Sequence, residues 1–107
     1  MRSARILYKG IPAGILTESD DGYDFAYDTE YLSLPDARPV SLTLPLSGKK
    51  FHSPVLFPFF DGLIPEGWLL DVARRNLDIS LLDRMSLLLS CCKDCIGAVS
   101  IINTEVL

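Results

Sequence analysis

Between Gly22 and Asp28 the chain alternates strictly. Tyr23, Phe25 and Tyr27 occupy every second position, with Asp24, Ala26 and Asp28 between them. A period of two is the signature of a strand with one buried face. Three aromatics on that face demand a core to cover them. The Asp21-Gly22 pair just before them is a hairpin signal, so a second strand is expected on its other side, over 13–18. A further strand is expected over 5–9, with a turn at Gly10-Ile11-Pro12. The N-terminal third therefore reads as an antiparallel meander. Residues 30–39 hold two prolines and read as a short turn or loop. Residues 41–44 alternate again and read as a short strand with Leu42 and Leu44 facing the core. Residues 46–57 read as a loop.

The period then changes. From 63 to 77 apolar residues recur at helical spacing. At about 100° per residue, Val72, Leu69, Ala73, Leu77 and Leu70 share one arc. Asp71, Arg74 and Arg75 fill the opposite side, and Trp68 falls on the border. A second helix is expected after Ser80, with Ser80 as its cap and Asp83 near its positive end. Leu81, Leu82, Met85, Leu88, Leu89 and Cys92 make it nearly all apolar, hence buried. Gly97 ends it, and 98–102 reads as a last strand. The fold class is α+β, a small antiparallel meander followed by a short helical bundle packed on it. The 107 residues suffice for a single domain, 1–107.

Several kinds of chemistry are disfavoured. The formal net charge is −4, which opposes contact with phosphate backbones. The uncharged run 51–60, as long as any in the chain, is broken by Pro54 and Pro58 and is far short of the roughly 20 apolar residues of a membrane span. The N-terminus lacks the apolar stretch of a signal peptide, so a cytoplasmic location is expected. Cys92 and Cys95 spell C-x-x-C with Cys91 beside them. Four zinc ligands are not at hand, since the sole histidine, His52, lies some forty residues away. The cysteines read as small hydrophobes at a helix end, with a redox or metal role as the minor alternative. No phosphate-binding glycine motif and no nucleophile–base pattern is present. Neither a cofactor nor a metal is expected, and the chain reads as a binding or regulatory domain.

One segment stands out. Residues 58–68 hold two prolines, two glycines, three aromatics and two acids. Pro65 suits the first turn of a helix, where its missing N–H is no loss. Stiff aromatics serve as interface anchors because little entropy is lost on binding. Phe59 and Phe60 equally well fill the core between sheet and helices, whereas the helical wheel favours partial exposure of Trp68. Asp61 and Glu66 read either as paired carboxylates or as a turn cap and a first-turn helix acid.

At this segment the sequence resembles a known family. Phe59-Phe60-Asp61-Gly62-Leu63-Ile64-Pro65-Glu66-Gly67-Trp68 is similar to the F-F-x-G-L-L-P-E-G motif of the N-terminal subdomain of HipA-like serine/threonine kinases. The opening strand with Gly10 and Gly14 resembles the family's V-x-x-x-G-x-x-x-G-x-L start. Tyr27-Asp28-x-x-Tyr31-Leu32 resembles F-x-Y-x-x-x-Y-L. Ser41-Leu42-Thr43-Leu44-Pro45-Leu46 matches S-L-S-L-P-L, and Asp94-Cys95-Ile96-Gly97-Ala98-Val99 resembles D-C-x-G-A-L. Cys91 and Cys92 depart from the pattern. The kinases continue well beyond this subdomain, and their ATP- and magnesium-binding residues lie downstream of it.

The resemblance therefore implies a separately encoded subdomain, HipS-like, as in tripartite HipBST toxin–antitoxin systems. Its partners would be a HipA-like kinase of the HipT type and, in a ternary complex, a HipB-like DNA-binding protein. It would restrain the kinase without chemistry of its own. Trp68 would be the anchor near the active-site cleft. Phe60, Leu63, Ile64 and Pro65 would shape the loop, and Asp61 and Glu66 would pair with basic groups. The alternatives are a scaffold that completes the kinase and bridges it to the DNA-binding protein without inhibition, and an excised fragment of a longer kinase. The N-terminal Met1 and the Thr104-Glu105-Val106-Leu107 tail favour a complete product over the fragment.

Overall fold

The computed structural model describes residues 2–64, 67, 83–91 and 99–103, without the side chains of 90, 91 and 103. The described elements are β1 (Arg2–Tyr8), β2 (Ile11–Ser19), β3 (Gly22–Tyr27), α1 (Thr29–Leu32), β4 (Phe51–Ser53), α2 (Pro58–Asp61), α3 (Arg84–Cys91) and β5 (Val99–Asn103). The five strands form one antiparallel sheet in the order β4-β3-β2-β1-β5. Strands β1 to β4 are thus a meander, and β5 returns to the far edge beside β1.

Local chemistry sets both hairpins. Tyr8 pairs with Ile11, so Lys9 and Gly10 alone make the first turn. Both have positive φ, 51° and 80°, which matches the right-handed twist of the flanking strands. The turn therefore precedes Ile11 and Pro12, which belong to β2. Pro12 is tolerated there because the register slips between Ile6 and Leu7, opposite it. In the second hairpin Asp20 and Asp21 form the loop and Gly22 opens β3, paired with Ser19. Gly22 has φ +128°, and a Cβ there would run into the Ser53 carbonyl and Pro54. Only glycine lets the end of β4 pass so close.

The alternation in β3 does what its period demands. Phe25 is fully buried and Tyr27 nearly so, while Tyr23 is half-buried. The same sheet face carries Ala4, Ile6, Leu16 and Ile101. Phe57, Phe60 and Ile64 from around α2 and Met85, Leu87 and Leu88 from α3 complete the core. Helix α3 is capped by Asp83, whose Oδ1 accepts the Ser86 N–H at 3.2 Å. It therefore starts after Asp83, later than the expected cap at Ser80. The helix expected over 63–77 lies outside the described residues, apart from its first two positions and Gly67.

Three expectations are corrected. Residues 30–39, expected as a short turn or loop, begin within a helix, because α1 makes a single helical turn over Thr29–Leu32. Asp28 precedes it without capping it, since its carboxylate accepts from Arg5 Nη1 at 2.7 Å instead. Residues 46–57 are not all loop, because β4 pairs with β3. The strand expected over 41–44 is a turn. Ser41 bridges Leu44, whose N–H donates to the Ser41 carbonyl at 3.1 Å. Leu44 is buried as expected, but Leu42 is 96% exposed. The turn is held by Tyr27, whose hydroxyl bonds Val40 and Leu44 on either side of it.

Candidate functional site

The Tyr27-x-x-x-Tyr31 spacing explains how the loop after α1 is held. The two rings stack 6.1 Å apart, nearly parallel. Tyr31 Oη donates to the Arg38 carbonyl at 2.6 Å and accepts the Arg38 N–H at 3.1 Å. Tyr27 Oη accepts the Val40 N–H at 3.0 Å and donates to the Leu44 carbonyl. Each hydroxyl uses both its donor and an acceptor lone pair. Residues 38–44 are therefore fixed from beneath by two buried tyrosines. Burial pushes the Tyr27 hydroxyl above its ordinary pKa.

Phe59 and Leu63, from the described part of the 58–68 segment, lie beside this loop. Pro58 occupies the first position of α2, with Phe57 before it. The Phe60 ring sits 5.6 Å from Phe25, 6.1 Å from Phe57 and 5.2 Å from Phe59. Phe60 and Ile64 are buried. Of the two readings of the phenylalanines, Phe60 is core, and Phe59 is partly buried against that core. Phe60 and Ile64 thus act from inside, by setting the backbone. Asp61 is bound within the chain, with Oδ1 accepting from Arg84 Nε at 2.6 Å. That bond raises the Arg84 pKa. Pro65, Glu66 and Trp68 lie outside the described residues, so the pairing of Asp61 with Glu66 and the exposure of Trp68 do too.

Between the two segments runs a groove of about 430 Å³, lined by Tyr8, Pro39, Val40, Ser41, Leu42, Phe59, Leu63 and Val99. Every lining residue is uncharged. Ser41 and Leu42 come from S-L-T-L-P-L, Phe59 and Leu63 from F-F-D-G-L, and Val99 from D-C-I-G-A-V. Three segments far apart in the chain meet here, and a fourth, Tyr27 to Leu32, holds the wall in place. Sequence reasoning singled out Leu63 but missed Tyr8 and the outward Leu42.

Among the described residues, other charged groups tie separate parts of the chain together. Arg2 Nε and Nη2 reach the two Glu18 oxygens at 2.6 and 2.9 Å, and Nη2 also meets Asp83 Oδ1 at 2.7 Å. His52 Nδ1 lies 2.7 Å from Asp24 Oδ1 on the other face of the sheet. Among the described residues no cluster of three or more His, Cys, Asp or Glu could hold a metal ion. Cys92 and Cys95 lie outside them. No helix among the described residues is long and apolar enough to cross a membrane.

The sheet order, the tyrosine-held loop and the groove define a small α+β domain with an uncharged groove among its described residues. Comparison with known proteins places it. The HipA N-terminal domain family matches residues 4–102, so this chain belongs to that family. An uncharacterized protein of Haemophilus influenzae is 35% identical over 101 residues, covering 94% of this chain and 92% of that one. A solved structure of the N-terminal domain of HipA toxin superposes with a TM-score of 0.78 at 31% identity, covering 100% of this chain and 96% of that chain. The match is to the N-terminal domain and not to a kinase catalytic domain.

Proposed function

We propose that this chain is a non-catalytic antitoxin, the HipS-like small subunit of a tripartite toxin–antitoxin system. It binds a HipA-like serine/threonine kinase of the HipT type that lacks this domain, and it inhibits the kinase by docking near its active site. The observation that carries this reading is the family match across 4–102, nearly the whole chain. The Haemophilus relative supports it, because the same region accounts for 92% of that protein. In a HipA-type complex the domain packs beside the kinase core, and a detached copy uses the same surface. Trp68 is the anchor, with Pro65 and Leu63 shaping its approach from a backbone set by Phe60 and Ile64. Glu66 pairs with a basic group of the kinase, and Asp61 does so from its exposed side while held by Arg84. A HipB-like DNA-binding protein joins the ternary complex and carries its DNA contact, since a chain of net charge −4 is itself a poor ligand for DNA.

The test is to co-purify the tagged chain with the kinase from a neighbouring reading frame and to measure autophosphorylation. A stable complex with suppressed phosphorylation is expected. A stable complex with unchanged phosphorylation would favour the scaffold reading. Trp68→Ala is expected to stay folded and to weaken kinase binding by about 30-fold or more, read by titration calorimetry. Normal binding by that variant would remove Trp68 as the anchor.

A further inference from the structure

The 41–44 turn holds an apolar side chain out into solvent on a hydrogen-bonded backbone. Leu42 is 96% exposed, whereas Leu44 two residues later is 2% exposed. The backbone between them is nonetheless held firmly. Tyr27 grips Val40 and Leu44 at its two ends, and Tyr31 grips Arg38. The Thr43 N–H donates to Ser41 Oγ at 3.2 Å across the turn. The loop is ordered on folding, so little further entropy is lost when a partner meets it. A leucine on a fixed backbone thus stands beside a groove walled by Tyr8, Val40, Phe59 and Leu63.

We propose that this turn is a second docking point, distinct from the 65–68 stretch. Leu42 inserts into an uncharged apolar pocket of the kinase, and the groove beside it receives an apolar side chain in return. This rests on the reading above that the chain binds such a kinase. The charge pattern favours an apolar protein surface over charged occupants. No lining residue of the groove is charged, so nothing there pairs with a phosphate, a lipid headgroup or a nucleic acid. The net charge of −4 also opposes an anionic membrane and a second copy of this chain.

The experiment titrates the full chain, Leu42→Asp and Leu42→Met against the kinase lacking this domain, with melting curves alongside. Leu42→Asp is expected to bind about 100-fold more weakly, because it brings a charge into a dry pocket. Leu42→Met is expected to bind within about 3-fold of the parent. Both should melt within about 2 °C of it, since Leu42 is outside the core. If the parent binds and Leu42→Asp binds equally well, this proposal falls while the antitoxin reading stands. If the parent does not bind the kinase, both fall. A parent dimer in sedimentation that Leu42→Asp abolishes, with kinase affinity unmoved, would give Leu42 to self-association instead.

Discussion

Arg2 and Tyr27 each tie a remote stretch of chain to the sheet. Arg2 does so at an open corner where β1 meets α3, and Tyr27 does so inside the core beneath the 41–44 turn. The Arg2 side chain keeps 31% of its surface in water while it binds Glu18, Asp83 and Ser86. Tyr27 is only 7% exposed and binds two backbone groups. The difference follows from charge. Burying a guanidinium and two carboxylates fully would cost several kcal/mol per ion, so the charged clamp stays at the rim and relies on several bonds at once. A neutral hydroxyl can go inside, because two hydrogen bonds satisfy it. The rim clamp is screened by water and salt. The buried clamp is costlier to lose, because its loss would strand a buried amide.

The two clamps also face opposite ends of the pH scale. Hydrogen bonding from Arg2, with help from Ser86, holds the Asp83 carboxyl down at about 2. A carboxyl lowered on folding contributes stability that is present above its unfolded value, about 4, and is lost as pH falls through its folded value. Tyr27 is raised, chiefly by burial. Its contribution is present below the unfolded tyrosine value, about 10, and is lost as pH rises through its folded value. Tyr23 is raised as well, by burial and by Glu18, so it adds to the alkaline side.

The largest expected effect removes the ground under the buried clamp. Phe60 is fully buried against Phe25, which packs edge-on to Tyr27 at 4.9 Å. Phe60→Ala should lower stability by about 3–5 kcal/mol in urea unfolding, enough to leave a domain of this size marginal. Next is Tyr27→Phe, expected to lower it by about 1–3 kcal/mol. It should also speed hydrogen exchange at the Val40 amide, and its gap from the parent should narrow as pH rises beyond about 10. An unchanged Val40 exchange rate would show that the turn does not depend on the hydroxyl. Arg2→Ala should lower stability by about 1 kcal/mol in dilute buffer and by less in 1 M salt. Asp83→Asn should lose its difference from the parent between about pH 4 and 2. A salt-independent Arg2 effect as large as that of Tyr27→Phe would erase the contrast between rim and core. The smallest expected effect is that of Leu42→Ala on stability, within about 0.5 kcal/mol, because a side chain outside the core leaves no cavity.

Where the period was long, it was legible. Strands β1, β2, β3 and β5 and helix α3 follow from alternation, hairpin chemistry and apolar spacing, with ends displaced by a few residues. Short elements were not legible. The three residues of β4 and the four of α1 carry no period of their own, and they exist because β3 offers a free edge and the two tyrosines offer stacked rings. The site was half legible. Residues 58–68 and the S-L-T-L-P-L stretch stood out by composition and resemblance. Alternation nevertheless placed Leu42 in the core with Leu44, and Phe60 could have faced either way.

By itself the amino-acid sequence determined the alternating sheet, the switch to helical spacing, the absence of a phosphate-binding motif and the family to which the chain belongs. These depend on residues close in the chain or on motif strings. Only the tertiary structure decided which side of each pattern is covered. Periodicity says which residues share a face, and the elements that close over that face say whether it is inside. Arg2 and Asp83 are 81 positions apart, and Tyr8, Leu42, Leu63 and Val99 come from four separate stretches that line one groove. Such meetings are fixed by packing against the whole sheet, which no local pattern encodes.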